Sequence, residues 1–590
     1  MKHTLILISI AIYSLSGCAG FGSQVETATS VDSTTSHIVQ AHSLAAAKAA
    51  VQSVDGQITH ELGVIGAVAV KLTSAQLADL RQNTSIRRIY GNQTVESAGK
   101  PNKDGGSNGG NDSSGSDTTG SELDGDSYTE FPALVEADLL HEQGIDGWGV
   151  TVAIIDSGIY SGPGITQDRY DQMRLKMVYD ATTDTTYSSS GRGKVNFDKF
   201  DVDENGHGSH VAGVISSSKL SNVNKYNGIA PAAPLVAVKV FNSDGYGSYA
   251  DVIRGLDWVI ANQQSLQIRV LNMSLSAPPK SHYWDDPLNQ AVMAAWQAGI
   301  VVVASAGNTG PDALSIGVPG NVPYVITVGA MTDNYTPADG SDDHLASFSA
   351  AGPTFEGFVK PEVVAPGGHI TASMSDEDQI ALDYPGFYLG ANYFKMSGTS
   401  QATAVVSGIA ALILQMEPGL SPDAVKCKIM HSARPALAAD GSLAYSVFQQ
   451  GAGLVNARDA VYDWNHDCAN NGLDIEADLA DTAHFGGRAN QDADGNYYLM
   501  GLEGYLWTDS GVDSNGYLWT DGYLWTDAYL WTDAYLWTDG SVGSNGYLWT
   551  DGYLWTDGYL WTDGYLWTDA YLWTDSLTES ASINTWVDQE

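Results

Sequence analysis

Tyr393-Phe394-Lys395-Met396-Ser397-Gly398-Thr399-Ser400-Gln401-Ala402-Thr403 runs directly into Ala404-Val405-Val406-Ser407-Gly408-Ile409-Ala410-Ala411-Leu412-Ile413-Leu414. The second part is apolar on nearly every face, the mark of a helix buried inside a core. Ser400 opens it. There the helix aims its unpaired N–H groups and the positive end of its dipole at whatever the serine hydroxyl approaches. Such a serine is either an N-cap or a nucleophile. A nucleophilic serine needs a histidine to take its proton and a carboxylate to orient that histidine, so the decision rests on the rest of the chain.

Two stretches supply them. Gly149-Val150-Thr151-Val152-Ala153-Ile154-Ile155-Asp156-Ser157-Gly158 is an apolar run of buried-strand type that ends on a carboxylate and a tight turn. Asp203-Glu204-Asn205-Gly206-His207-Gly208-Ser209-His210-Val211-Ala212-Gly213 sets a histidine among glycines where another helix begins. In chain order these give Asp156, His207 and Ser400, the order of the subtilisin triad. At all three blocks, down to Asp-Ser-Gly, His-Gly-Ser-His-Val-Ala-Gly and Gly-Thr-Ser, the sequence resembles the subtilisin-like serine proteases.

The resemblance implies an endopeptidase that works through an acyl-enzyme and needs no cofactor for catalysis. Ser400 would attack the scissile carbonyl, His207 would move the proton and Asp156 would hold the imidazole. It also implies that Asn308, in Ala304-Ser305-Ala306-Gly307-Asn308-Thr309-Gly310, donates to the oxyanion together with the N–H of Ser400. Ser274-Leu275-Ser276 resembles the edge that pairs with substrate backbone, and Gly245-Tyr246-Gly247-Ser248-Tyr249 the facing edge, so that a peptide binds as an added strand. Two positions depart from the family pattern: Ser276-Ala277 stands where many relatives have Gly-Gly, and Ala404 where a proline is usual. His207 and His210 are three apart without the intervening glutamate of a helical zinc protease. The family commonly carries structural calcium, for which loops such as Ser221-Asn222-Val223-Asn224 offer oxygens, but the sequence names no ligand set.

Around the triad, apolar runs alternate with amphipathic segments from about Tyr128 to Trp464. Leu235–Phe241, Arg269–Leu275, Ile300–Ala304 and Tyr324–Val328 read as strands. Val252, Ile253, Leu256, Val259 and Ile260 mark one helical face, and Asp286-Pro287 to Gly299 has an N-cap, a first-turn proline and a glycine stop. The expected fold is α/β, a parallel sheet with helices on both faces. Ligands of such folds bind beyond the carboxyl ends of the strands, where Asp156 sits.

A small α+β unit is expected over 35–99: a helix from Leu44 to Val54, a strand from Ile65 to Leu72, a capping box at Thr73-Ser74-Ala75-Gln76 and a strand at Ile86–Tyr90. It resembles the inhibitory propeptide of this family, an intramolecular partner that fills the cleft until it is cut away. Residues 100–127, glycine-, serine- and aspartate-rich, form the linker that would be cut.

Met1-Lys2-His3 and the apolar Thr4–Ile12 have the form of a signal peptide. Leu15-Ser16-Gly17-Cys18 looks like a lipobox, which makes 1–18 a lipoprotein signal, Cys18 the lipidation site and 19–34 a tether. By resemblance, Ala19 favours the outer membrane, so the precursor is expected at the cell surface and the processed enzyme outside the cell. No later segment reads as a bilayer span. The net charge of -42 argues against nucleic acid and anionic membrane surfaces as partners.

Cys427 and Cys468 are either one disulfide of an exported protein or two buried thiols. Residues 465–503 read as an acidic linker. Over 504–576, Tyr-Leu-Trp-Thr-Asp recurs ten times, mostly with a period of six, before a tail at 577–590. The even period fits β structure, either short hairpin strands or a stacked solenoid. The repeats read as an aromatic, acidic attachment module or as a stalk, and a catalytically weak adhesive surface protein is the rival to the protease reading.

Overall fold

The computed structural model describes residues 34–96 and 129–499, apart from 163, 190–193, 198–199, 222, 337–339, 440 and 493–494. Cys18, the tether, the linker, the repeats and the tail lie outside the described residues.

The N-terminal unit contains β1 (Thr35–Ala41), α1 (Leu44–Gln52), β2 (Gln57–Leu62), β3 (Ala67–Leu72), α2 (Ser74–Leu80), β4 (Ile86–Gly91) and β5 (Thr94–Glu96). β1 to β4 form one antiparallel sheet in the order β2-β3-β1-β4. Ser43 caps α1, and Thr73 with Gln76 closes a capping box on α2. β1 and β2, absent from the sequence reading, complete the sheet. Strand alternation gives it two apolar faces. Val39, Val68 and Val70 pack under α1 and α2 in a core of the unit's own, while Ile38, Ala67 and Ala69 belong to the main core of the molecule.

Short helices α3 (Phe131–Leu134) and α4 (Ala137–His141) lead into the large sheet. Its strands and the helices between them follow in chain order: β6 (Thr151–Asp156), β7 (Leu175–Asp180), β8 (Thr185–Tyr187), α5 (His207–Ser216), β9 (Leu235–Lys239), β10 (Tyr246–Ser248), α6 (Tyr249–Leu266), β11 (Ile268–Met273), α7 (Pro287–Gln297), β12 (Val301–Ser305), β13 (Ile326–Thr332), β14 (His344–Leu345) and β15 (Val363–Pro366). Apart from β10, which stands outside it, the strands run in the order β14-β13-β12-β11-β6-β9-β7-β8, with β15 also on β13. The inner pairs are parallel. β8 and β14 add antiparallel at the ends, so the sheet is mixed rather than purely parallel. β6, β9 and β12 are buried along their whole length, as strands covered on both faces must be.

β16 (Ile370–Ser373), α8 (Gln379–Asp383), β17 (Tyr388–Gly390) and β18 (Tyr393–Met396) form a hairpin sheet and its lid ahead of α9 (Thr399–Met416). α9 runs unbroken through Ala404. By length and composition it reaches the threshold for a membrane crossing, contrary to the sequence reading, but Thr399 to Leu414 are all buried in the core against α5 and the sheet. α10 (Pro422–His431), α11 (Val447–Gln450) and α12 (Ala457–Tyr462) follow.

Residues 465–499 are not a linker. Cys468 is bonded to Cys427, and α13 (Ile475–Leu479), β19 (Ala489–Gln491) and β20 (Tyr497–Leu499) lie beyond it. Asp478 of α13 is buried and accepts hydrogen bonds from the hydroxyls of Tyr283 at 2.8 Å and Tyr324 at 2.6 Å. An acidic composition hides this, because the carboxylate is satisfied by partners far away in sequence.

Candidate active site

Asp156 ends β6 at the carboxyl edge of the sheet, and His207 is the first residue of α5. His207 Nδ1 lies 2.7 Å from Asp156 Oδ1, with both side chains 1% exposed. With Nδ1–H donating to the carboxylate, Nε2 carries the free lone pair. Burial opposes a charged imidazole, but the neighbouring Asp156, by its charge and its hydrogen bond, outweighs it and holds the His207 pKa above the ordinary value of 6.5. Gly206, at φ 100°, makes the turn into the helix, and a β-carbon there would meet Asp378 at 2.8 Å.

Sequence reasoning missed the groups that fix this turn. Asp203, fully buried, accepts from the N–H of Gly206 at 2.9 Å, the N–H of Ser209 at 2.8 Å and the Ser209 hydroxyl. Its only sequence signal is an acid just ahead of a helix start. Asp378 closes over Gly206 from the lid, and burial with the nearby Asp203 and Asp201 pushes its carboxyl up to about 9.

Ser400 is the second residue of α9 and is buried. Its hydroxyl donates to Ser274 O at 3.2 Å, and the Ser274 hydroxyl returns a bond to Ser400 O at 2.9 Å. Asn272 and Ser407 extend this chain of hydrogen bonds and tie β11 to α9. Asn308 follows β12. Its Oδ1 accepts from the N–H of Thr399 at 2.9 Å and from the Thr399 hydroxyl at 2.8 Å. Two donors on one oxygen fix which end of the amide is which, so Nδ2 is turned outward as a donor. A β-carbon on Gly398 would stand 3.4 Å from Asn308 Nδ2 and 3.7 Å from Ser400 N. The same β-carbon would meet Gln401 Oε1 at 2.8 Å, so glycine is what lets these groups stand this close together.

The edges assigned to substrate divide in two. Ser274 and Leu275 are fully buried, the Leu275 carbonyl accepts from Ser305 Oγ, and Ala277 pairs by backbone with Val318. Ser276 Oγ lies 1.9 Å from where a β-carbon of Gly317 would be and 2.9 Å from that of Gly307, so its hydroxyl fills the gap between those glycines. On the facing edge, Gly245 turns with φ 79°, and Gly247 in β10 has no room for a side chain because Val240 O is 2.3 Å from its β-carbon position. Tyr249 is a correction. It begins α6, so its ring is rotated into the core with the hydroxyl 3.3 Å from Asp286, and only its N–H, bonded to Gln93 O, lies at the edge. β10 itself pairs antiparallel with β5: Tyr246 with Glu96, Gly247 with Val95 and Ser248 with Thr94.

His210, one turn after His207, faces away from the cleft. Its Nε2 lies 3.2 Å from Ile370 O and 3.1 Å from Phe394 O, and Gln401 Nε2 lies 3.4 Å from its Nδ1. Burial and the neighbouring His207 push its pKa down to about 3 against the pull of those carbonyls. Among the described residues, no group of three or more His, Cys, Asp or Glu is placed to hold a metal ion. Ser221 of the calcium-candidate loop is turned into its own hairpin, bonded to Lys225 through both N–H and hydroxyl, and Asn222 lies outside the described residues.

Residues 147–453 match the model of the Subtilase family. The serine protease AprX of Bacillus subtilis (strain 168) is 40% identical over 324 residues, which cover 54% of this chain and 67% of that protein. Subtilisin DY of Bacillus licheniformis is 34% identical over 329 residues, covering 55% and 96%. Among solved structures, fervidolysin from Fervidobacterium pennivorans, a keratinolytic enzyme related to subtilisin, superposes with a TM-score of 0.54 at 21% identity; the match takes in 73% of this chain and 61% of that one. The family match spans the carboxyl edge of β6, the start of α5 and the start of α9 together, and the chain belongs to the subtilase family of serine proteases.

Proposed function

We propose that the chain is an exported serine endopeptidase made as a self-processing zymogen, with Asp156, His207 and Ser400 as its triad. The observations that support this are the buried Asp156–His207 pair at the start of α5, the packing of α5 on α9, at whose start Ser400 stands, and an Asn308 amide whose oxygen is held by Thr399. Ser400 attacks the scissile carbonyl as His207 Nε2 removes its proton. The oxyanion is received by Asn308 Nδ2 and the N–H of Ser400. His207 then hands the proton to the leaving amine, and water repeats the sequence on the acyl-enzyme. Asp156 keeps the proton on Nδ1 and stabilises the imidazolium. The substrate backbone lies between the edges at Ser274-Leu275-Ser276 and Gly245–Ser248.

Residues 35–99 act as the inhibitory propeptide. The pairing of β5 with β10 supports this, because the unit's last strand occupies an edge that a peptide substrate would use. Cutting in 100–127 breaks the chain between the peptidase domain and both the propeptide and the lipid on Cys18, so that release of the propeptide turns the tethered precursor into a diffusing enzyme. The Tyr-Leu-Trp-Thr-Asp repeats are either the module that re-attaches it or a stalk without a ligand. Structural calcium is the one metal this reading admits, and no catalytic step passes through it.

The test is Ser400→Ala in the full-length chain. It should abolish peptide hydrolysis and fluorophosphonate labelling and leave the N-terminal unit uncut. A purified Ser400→Ala protein that still processes itself would overturn the assignment.

A further inference from the structure

Besides the pairing of β5 with β10, the N-terminal unit touches the rest of the chain in two further ways. Its sheet face lies on α6 and α7, with His60 Nε2 3.0 Å from Asp251 Oδ1 and the N–H of Gly63 donating to Asp257. Its β4 rim instead meets the C-terminal segment. Arg87 Nη2 lies 2.9 Å from Asp481 Oδ2 and Arg88 Nη2 3.6 Å from the same oxygen, while Arg88 Nη1 pairs with Asp285.

Asp481 is held ready for these arginines by contacts that do not involve them. The disulfide pins the segment at Cys468, the buried Asp478 pins α13, and the N–H groups of Gly487 and Ala489 donate to Glu356 O and Gly357 O. Between those pins the chain turns through Asp481 at φ 59°. His484 then bridges the two carboxylates, with Nδ1 2.9 Å from Asp478 Oδ1 and Nε2 3.0 Å from Asp481 Oδ1. Its ring stacks on Trp284 at 4.5 Å. Asp481 Oδ1 is thus occupied and Oδ2 is delivered to the rim. A group fixed in advance loses little freedom on binding, which lets a surface ion pair contribute where a floppy one would not. Charge points the same way: residues 34–96 carry five Lys and Arg against four Asp and Glu, in a chain with 27 against 69 overall.

We propose that residues 474–485 are a clasp with which the peptidase domain retains its own N-terminal unit after the linker is cut, through Asp481 on Arg87 and Arg88. This rests on reading that unit as the inhibitory propeptide. The clasp makes release of the inhibitor, and so the onset of activity, depend on a segment outside the cleft.

The experiment follows full-length protein through self-processing. Peptide hydrolysis is recorded against time, active sites are titrated with a fluorophosphonate, and co-elution of the N-terminal fragment is scored by gel filtration at low ionic strength. Wild type should show a lag with the fragment co-eluting. Asp481→Asn should shorten the lag about 3- to 10-fold, the range expected for two modest ion pairs, without changing the final rate per titrated site. Arg87→Ala should act alike from the other side, and the double variant should shorten the lag by less than the product of the two. A wild-type lag that neither variant changes overturns the clasp alone. A wild type that is fully active with its N-terminal unit uncut overturns the propeptide reading and the clasp with it.

Discussion

His207 and His210 sit one turn apart on α5, both out of water, and their basicities move in opposite directions. At His207 a carboxylate at 2.7 Å outweighs burial and the imidazole becomes easier to protonate. At His210 the partners are neutral carbonyls of β16 and β18, burial prevails, and the ring stays neutral until about pH 3. Burial alone therefore does not raise the basicity of an imidazole. The end of a strand that brings a charge does, and the same helix spends its other histidine on attachment to the hairpin sheet.

Removing the charge should have the largest effect. Asp156→Asn should lower kcat by about 10⁴-fold, since the imidazole loses both its tautomer and its counter-ion. The pH profile carries the sign. His207 must be neutral to accept a proton, so its raised pKa places the acid limb of kcat/KM above 6.5 in wild type. In Asp156→Asn burial is opposed only by the charge of Asp203, and the limb should move to lower pH. A profile that stays in place would break the contrast between the two histidines.

An intermediate effect is expected at His210, and on a different axis. His210→Gln should cost roughly 2–4 kcal/mol of stability by leaving buried carbonyls and Gln401 poorly paired, with activity per folded molecule nearly kept. Its folded pKa lies below the unfolded one, so the contribution to stability is present above 6.5 and is lost as pH falls from 6.5 toward about 3. Thermal unfolding of the Ser400→Ala protein with and without His210→Gln, scanned over that window, should show the flatter acid slope in the substituted chain. Equal slopes would remove His210 from the comparison.

The smallest effect separates position from charge. Asp203 does not touch the His207 ring but holds the turn before it. Asp203→Asn keeps one acceptor oxygen and should lower stability by about 1 kcal/mol, in the range of a lost helix cap. It should reduce kcat/KM by no more than about tenfold, the size of a 1.4 kcal/mol change, with a slight downward move of the acid limb. A drop as large as that of Asp156→Asn would make Asp203 a partner of the imidazole rather than a support for it.

What the sequence made legible follows the same division. The proposed site residues Asp156, His207, Ser400 and Asn308 sit in short contiguous blocks because a strand end, a glycine turn and a helix start each leave local marks. The central strands were readable because burial on both faces makes them apolar throughout, and α7 because Asp286, Pro287 and Gly299 punctuate it. β1 and β2 were not, since their burial comes from neighbours distant in sequence: β1 lies between β3 and β4, and β2 packs on β3 and α6. Asp478 looked like solvent-facing acid because its hydroxyl partners come from Tyr283 and Tyr324, more than a hundred residues earlier. Tyr249 misled because adjacency to Gly247 places a backbone at the edge, while the first turn of α6 sends the ring inward.

The Cys427–Cys468 bond has a consequence of topology. It closes a ring of chain that contains the surface stretch around Leu437, which is 55% exposed. A protease released among copies of itself is attacked first at such stretches. One cut inside the ring opens it without detaching anything, because Cys468 and all that follows remain joined to α10 through sulfur. A chain nicked there keeps its C-terminal segment covalently, where an unbridged chain would hold it only through the hydrogen bonds and packing of that segment.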